Sequence, residues 1–191
     1  MHSIVHHEGH SIVTVTEAIP PALCSELVAR AEGIGFADAP ITTGFGFVMA
    51  PEVRNNTRVM VDDHALARTL WERLEPTLPA RLGPWLAVGL NERFRFYRYE
   101  VGQRFAWHRD GAFERPSGER SRLTLMLYLN DDFEGGDTEF DVGERLAVRP
   151  ETGMALLFSH PVRHQGASVT RGQKYVLRTD VMYRLAPAAR S

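Results

Sequence analysis

Cysteine is nearly absent from this 191-residue sequence, where Cys24 stands alone. One thiol excludes an intramolecular disulfide and a cysteine-rich zinc module, and it suits a reducing compartment. Neither sign of charge is in excess, since 22 basic residues face 24 acidic ones for a formal net charge of -2. That balance removes the global footprint of a nucleic-acid or anionic-membrane binder and leaves only local basic patches open. Long apolar runs are missing too. No stretch approaches the length of a membrane span, and the opening MHSIVHHEGH has no basic segment leading into an apolar one. The expectation is a cytoplasmic protein with no membrane and no nucleic-acid partner. Internal repeats and low-complexity linkers are also lacking, so residues 1–191, at 21.5 kDa, are expected to form a single domain. Oligomeric state leaves no readable mark in such a sequence.

What is present changes character near residue 91. Before it, Ser11 to Ile19 reads as a strand, and Pro20-Pro21 opens a helix whose Leu23, Leu27, Val28 and Ala31 recur at helical spacing. Gly33 and Gly35 close that helix. Ile41 to Pro51 (ITTGFGFVMAP) is glycine-punctuated and aperiodic, as a mobile loop or irregular hairpin would be, and Asn55-Asn56 marks a turn. Asp62 or Asp63 caps a second helix running to about Leu74, with Leu66, Leu70, Trp71 and Leu74 as its apolar stripe and Pro76 as its stop. The irregular spacing of His2, His6, His7 and His10 suggests a solvated tail that binds metal only adventitiously.

From Asn91 the period becomes two. NERFRFYRYE places Arg93, Arg95, Tyr97 and Tyr99 on one face and Phe94, Phe96 and Arg98 on the other. RLTLMLYLN sets Leu123, Leu125, Leu127 and Leu129 opposite Thr124, Met126 and Tyr128, and GMALLFSH and QKYVLRTDVMYRL complete the strong strands. Strands separated by glycine-rich or charged turns predict an α+β, mainly β fold: a double-stranded β-helix (jelly-roll) core over 91–185, with 1–90 as helical support and a possible substrate lid.

Within the core, FAWHRDG sets His108 and Asp110 two residues apart, so a strand delivers both to one side. A third ligand would come from His160 or His164 in FSHPVRHQG. Pro161 argues against a helical two-histidine zinc pair there. Two histidines and one carboxylate on a β scaffold make the facial triad of non-haem Fe(II), with three positions open for cosubstrate and dioxygen. A bidentate 2-oxo acid would need a cation for its distant carboxylate, and Lys174 and Arg178 share a face of the last strand.

The runs YRYEVGQRFAWHRDG, TLMLYLNDDFEGGDTEF and HQGASVTRGQKYVLRTDVMY, in that order from about Arg93 to Tyr183, resemble the 2-oxoglutarate- and Fe(II)-dependent dioxygenases, specifically their prolyl 4-hydroxylase-like branch. The resemblance implies that His108, Asp110 and His164 hold iron. His164 is favoured over His160 because it begins H-x-G and stands ten residues before Lys174. Lys174 would pair with the 5-carboxylate of 2-oxoglutarate, with Arg178 as the alternative anchor. Tyr99, nine residues before the first histidine, matches a cosubstrate-contacting position, and Thr124 and Tyr128 are further candidates for that pocket. Gly135 and Gly136 would form the tight turn of a G-G-x-T hairpin.

The implied cofactors are Fe(II), 2-oxoglutarate as cosubstrate, O2 and, as a reductant, ascorbate. The implied reaction hydroxylates a C-H bond of a peptidyl (prolyl) or small-molecule substrate and releases succinate and CO2. Activity should fall at acid pH as the histidines protonate. The Thr42 to Val48 loop and the RNNTR segment, with Arg54, Asn55 and Arg58, are candidate lids for an anionic or peptide substrate. Competing readings are a cupin-like metal-dependent enzyme that does not use 2-oxoglutarate, a nucleic-acid demethylase of the same superfamily, and a non-enzymatic β-barrel binding module.

Overall fold

Both helices of this chain pack on one face of a large antiparallel sheet, and a smaller sheet covers the other face. The computed structural model describes residues 2–7, 10–43 and 46–187. In chain order the main elements begin with β1 (His2–His7), β2 (His10–Val15), α1 (Pro21–Ile34), β3 (Ile41–Thr43) and β4 (Gly46–Val48). They continue with β5 (Thr57–Asp62), α2 (His64–Leu74), β6 (Trp85–Leu90), β7 (Arg93–Tyr99) and β8 (Phe105–His108). The last are β9 (Arg120–Tyr128), β10 (Thr138–Val142), β11 (Glu144–Val148), β12 (Ala155–Ser159), β13 (Arg163–Gly166) and β14 (Lys174–Leu185).

The large sheet runs β1-β2-β12-β9-β14-β7-β5, with β6 added beside the far half of β14; the small sheet runs β8-β13-β10-β11. Together they form the expected jelly roll flanked by helices. Strand alternation divides the apolar residues into two cores. On the outer face of the large sheet, Phe94, Phe96, Leu123, Leu125 and Leu127 meet Leu27, Ala31, Leu70 and Leu74 of the helices. Between the sheets, Tyr97, Tyr99, Tyr128 and Val176 meet Phe140, Val142 and Val162.

Local chemistry sets the helix ends. Pro21 opens α1 at a position where a missing N–H costs nothing, and Gly35 ends it at φ 93°. Asp63 accepts the Leu66 N–H at 2.8 Å and caps α2. Three sequence expectations need correction. The histidine-rich start is not a tail, because β1 pairs antiparallel with β2 over six residues; the side chains of His2, His6, His7 and His10 lie outside the described structure. The strand expected over Ser11 to Ile19 stops at Val15, since the chain turns at Thr16 and Glu17, the latter at φ 55°. The turn expected at Asn55-Asn56 lies at Pro51–Val53, and Arg54 then bridges to Phe105. The segment from Ile41 is the irregular hairpin β3–β4, with Gly44 and Phe45 outside the described residues. The first ninety residues thus supply β1, β2, β5 and β6 to the large sheet as well as α1 and α2.

Candidate metal and cosubstrate site

Register places the site. β8 and β13 pair with His108 directly opposite His164, and Asp110 follows just beyond the end of β8, its N–H donating to the His160 carbonyl at 3.1 Å. One ligand atom from each of His108, Asp110 and His164 lies within 4.8 Å of the others. The Nε2 atoms of His108 and His164 each stand 3.7 Å from a carboxylate oxygen of Asp110.

The tautomers are fixed by the backbone. Nδ1 of His108 lies 2.8 Å from the Ala106 carbonyl, and Nδ1 of His164 lies 3.0 Å from that of Val162. A carbonyl can only accept, so each Nδ1 carries the proton and each Nε2 keeps its lone pair toward Asp110. Burial, reinforced by the neighbouring His164, pushes His108 down to about 3, and burial also lowers His164. Both imidazoles are therefore neutral, which is the ligating form. Burial alone would raise the Asp110 carboxyl, but Arg178 at 3.1 Å, helped by the Thr124 hydroxyl, outweighs it and holds it well below the usual carboxylate range. Two neutral imidazoles and one carboxylate, with their lone pairs converging, fit a divalent iron.

The large sheet supplies the opposite wall. Lys174 pairs in register with Tyr99, Val176 with Tyr97 and Arg178 with Arg95, so all six side chains share the inner face. Lys174 is 2% exposed and donates to the Gly136 carbonyl at 2.5 Å. Among the described residues no carboxylate pairs with it, and burial pulls its ammonium down to about 7. Arg178, by contrast, is held by Asp110 and Asp180, the latter at 3.4 Å.

A narrow inner recess of about 30 Å³ is lined by Tyr99, His108, Asp110, His164, Lys174 and neighbours. Tyr97, Phe105, His108, Asp110 and Arg178 also line an outer cavity of about 560 Å³, to which Pro40, Ile41, Arg54 and Arg58 contribute.

The remaining candidates fall elsewhere. Thr124 stands outside the recess and donates to Asp110 Oδ2 at 2.6 Å, with His160 Nδ1 3.1 Å from the same hydroxyl. His160 is not in the donor cluster; its Nε2 meets Ser121 Oγ at 2.8 Å. The Tyr128 hydroxyl bonds Thr138 at 2.6 Å, while its ring lies 5.3 Å from Lys174 Nζ. Sequence reasoning missed the backbone carbonyls that orient the imidazoles, the Thr124 contact to Asp110, and the stacking of Phe105 on His108 at 3.6 Å between ring centroids. None of these leaves a periodic or spacing signal, although a threonine on the inward face of β9 was visible.

Fold and donor set define a class: a jelly-roll protein with a two-histidine, one-carboxylate cluster between its sheets and a lysine facing it. Comparison with known proteins agrees. The family model for the 2OG-Fe(II) oxygenase superfamily matches residues 94–179, a span that holds all three donors and Lys174. A PKHD-type hydroxylase of Bordetella pertussis is 26% identical over 174 residues, covering 85% of this chain and 74% of that protein. A PKHD-type hydroxylase of Xanthomonas campestris is 25% identical over 201 residues, covering 91% and 83%.

Solved structures share the fold. A prolyl hydroxylase from Trichoplax adhaerens, in complex with a hypoxia inducible factor peptide fragment, superposes with a TM-score of 0.71 at 15% identity over 89% of this chain and 82% of that one. A Pseudomonas putida prolyl-4-hydroxylase gives 0.66 at 18%, covering 89% and 91%. Over residues 94–179 the chain is thus similar to the 2OG-Fe(II) oxygenase superfamily, and the relatives that match most of its length are hydroxylases. No helix among the described residues is long and apolar enough to cross a membrane.

Proposed function

We propose that this protein, working as one catalytic domain, is an Fe(II)- and 2-oxoglutarate-dependent dioxygenase that hydroxylates a C-H bond of a peptidyl or small-molecule substrate. The observation that carries this reading is the convergence of His108, Asp110 and His164, with both Nε2 atoms free of hydrogen bonds, opposite a buried lysine that makes no ion pair among the described residues. The three donors would hold iron. When bound, iron and 2-oxoglutarate supply the oxidation: one atom of dioxygen ends in succinate as CO2 leaves, and the other in the product hydroxyl.

The chain's own residues bind, orient and exclude. The Ala106 and Val162 carbonyls hold the imidazoles in the ligating tautomer, and Thr124 and Arg178 keep Asp110 ionised and aimed. The Lys174 ammonium would take the distal carboxylate of 2-oxoglutarate, beside the buried Tyr99 ring 5.4 Å away. Lys174 suits this role better than Arg178, whose charge Asp110 and Asp180 already answer. The recess, at about 30 Å³, is smaller than a five-carbon diacid, so seating the cosubstrate would require its walls to move.

Anaerobic titration with Fe(II) and then 2-oxoglutarate tests the reading. A weak visible charge-transfer band is expected in the wild type and none in Asp110→Ala. Lys174→Ala should need roughly tenfold to a hundredfold more 2-oxoglutarate, the value of one charge-assisted hydrogen bond. Iron binding without any band would favour the cupin-like reading instead.

A further inference from the structure

The outer cavity is strongly cationic for a chain whose charges balance. Arg54, Arg58, Arg95, Arg109 and Arg178 line it against only Asp110 and Asp180. Both acids are already engaged, since Arg178 reaches each of them and Arg95 stands 3.6 Å from Asp180. Five guanidiniums thus share the cavity lining with two carboxylates.

Arg54 is the most constrained of the five. It is 4% exposed, and its guanidinium lies between two aromatic faces, 4.4 Å from the Tyr97 ring centroid and 4.4 Å from that of Phe105. Nε donates to Asn56 Oδ1 at 2.8 Å, which fixes the rotation of the plane, while Nη2 is buried with no hydrogen-bond partner. Stacked and edge-locked, the group spends little entropy when it meets a planar acid. A buried donor without an acceptor is costly, and a water molecule would satisfy the N–H but not the charge. Neighbouring groups feel that charge: burial lowers Arg58 below its usual range, with Arg54 and Arg95 adding to the effect, and Tyr97 is brought down to about 8 by Arg54, Arg178 and Arg95 despite its burial. Phe105 also stacks on His108, with ring planes 16° apart. Arg54, Phe105 and His108 are thus successive layers, which tie the cation to a ligand of the proposed metal.

We propose that the outer cavity selects a substrate bearing a carboxylate, seated on the Arg54 guanidinium with Arg58 and Arg95 beside it. This rests on the dioxygenase reading above and narrows it, because a neutral prolyl ring inside a peptide offers no such group. The volume of about 560 Å³ suits a small acid or the end of a larger one.

The test uses full-length protein with Zn(II) in place of iron and saturating 2-oxoglutarate, so that no turnover occurs and the cosubstrate site is filled. A panel of small organic acids is titrated calorimetrically, each beside its own primary amide and beside phosphate monoesters of similar size. Acids should bind roughly tenfold to a hundredfold more tightly than their amides. Arg54→Gln should reduce that preference to within about threefold. Arg58→Gln, a change at a half-buried position, should weaken it in the same direction and serves if the Arg54 variant does not fold. Amides equal to acids, a preference for phosphate monoesters, or no binding by any acid while 2-oxoglutarate binds normally would overturn the carboxylate assignment and leave the dioxygenase reading standing. Failure of 2-oxoglutarate itself to bind the metal-loaded protein would remove the reading beneath it and the assignment together.

Discussion

Lys174 carries its charge at a cost, because it is 2% exposed and its ammonium hydrogen-bonds a carbonyl beside two aromatic rings. Burial lowers it to about 7, so in the cosubstrate-free protein it loses its proton through neutral pH. An anion binds the protonated form. Affinity for 2-oxoglutarate should therefore be flat below pH 7 and fall about tenfold per pH unit above it, with uptake of one proton measurable in buffers of different ionisation heat. Lys174→Met should bind more weakly and show no such slope; a slope that persists in this variant would locate the titrating group elsewhere. Stability should move the opposite way. The unfolded lysine stays protonated to its ordinary value while the folded one does not, so the cosubstrate-free protein should gain stability as pH rises from about 7.

Thr124 acts at the same scale through one hydroxyl, which donates to Asp110. Thr124→Val keeps the shape of the side chain and removes the donor. Metal affinity should drop roughly tenfold to a hundredfold, read by competition with a chromophoric chelator, with the thermal midpoint much less affected.

Among the elements, the Gly135-Gly136 turn most directly joins structure to site. Gly135 adopts φ 70°, and a Cβ there would come within 2.5 Å of the Ser168 carbonyl oxygen. Gly136 follows at φ 69°, where a Cβ would press on the Lys174 side chain at 3.2 Å, and its carbonyl is the Lys174 acceptor. Gly135→Ala is expected to lose about 2–4 kcal/mol in urea unfolding, from left-handed strain plus a backbone clash. The turn therefore orients the lysine from below and contributes no side chain to the recess. β7 shows the complementary device: one strand gives Tyr97 and Tyr99 to the inner face and Phe94 and Phe96 to the helix-packed face.

On the scale of the whole molecule, two cores on opposite faces of the large sheet have separate duties. Leu70 is fully buried among the helices and the outer face, away from the metal cluster. Leu70→Ala should cost about 2–5 kcal/mol and leave metal stoichiometry unchanged in the folded protein. Phe158, equally buried between the sheets, packs edge-on against His164 at 4.4 Å. Phe158→Ala should cost about 3–5 kcal/mol and also weaken metal binding, because the cavity frees an imidazole. Equal loss of metal affinity in both variants would mean that the outer core positions the ligands as well.

The sequence by itself determined the core strands, the helices and the donors that cluster between the sheets. Period-two alternation in NERFRFYRYE and RLTLMLYLN assigned each side chain to its correct face, because a strand's geometry is local. Proline, glycine and Asp63 set the helix ends for the same reason. H-x-D named two of the three clustered donors, and family resemblance chose His164 over His160. Tertiary structure decided what depends on partners far apart in the chain. The histidine-rich start became a strand because β2 offered it an edge, a pairing no composition reveals. His160 went to Ser121 and Thr124, while His164 met His108 through strand register. Arg54 became a stacked, half-satisfied cation because Tyr97 and Phe105 arrive from two different strands. Burial, and with it every shifted pKa in the site, is likewise a property of what the fold brings around a group.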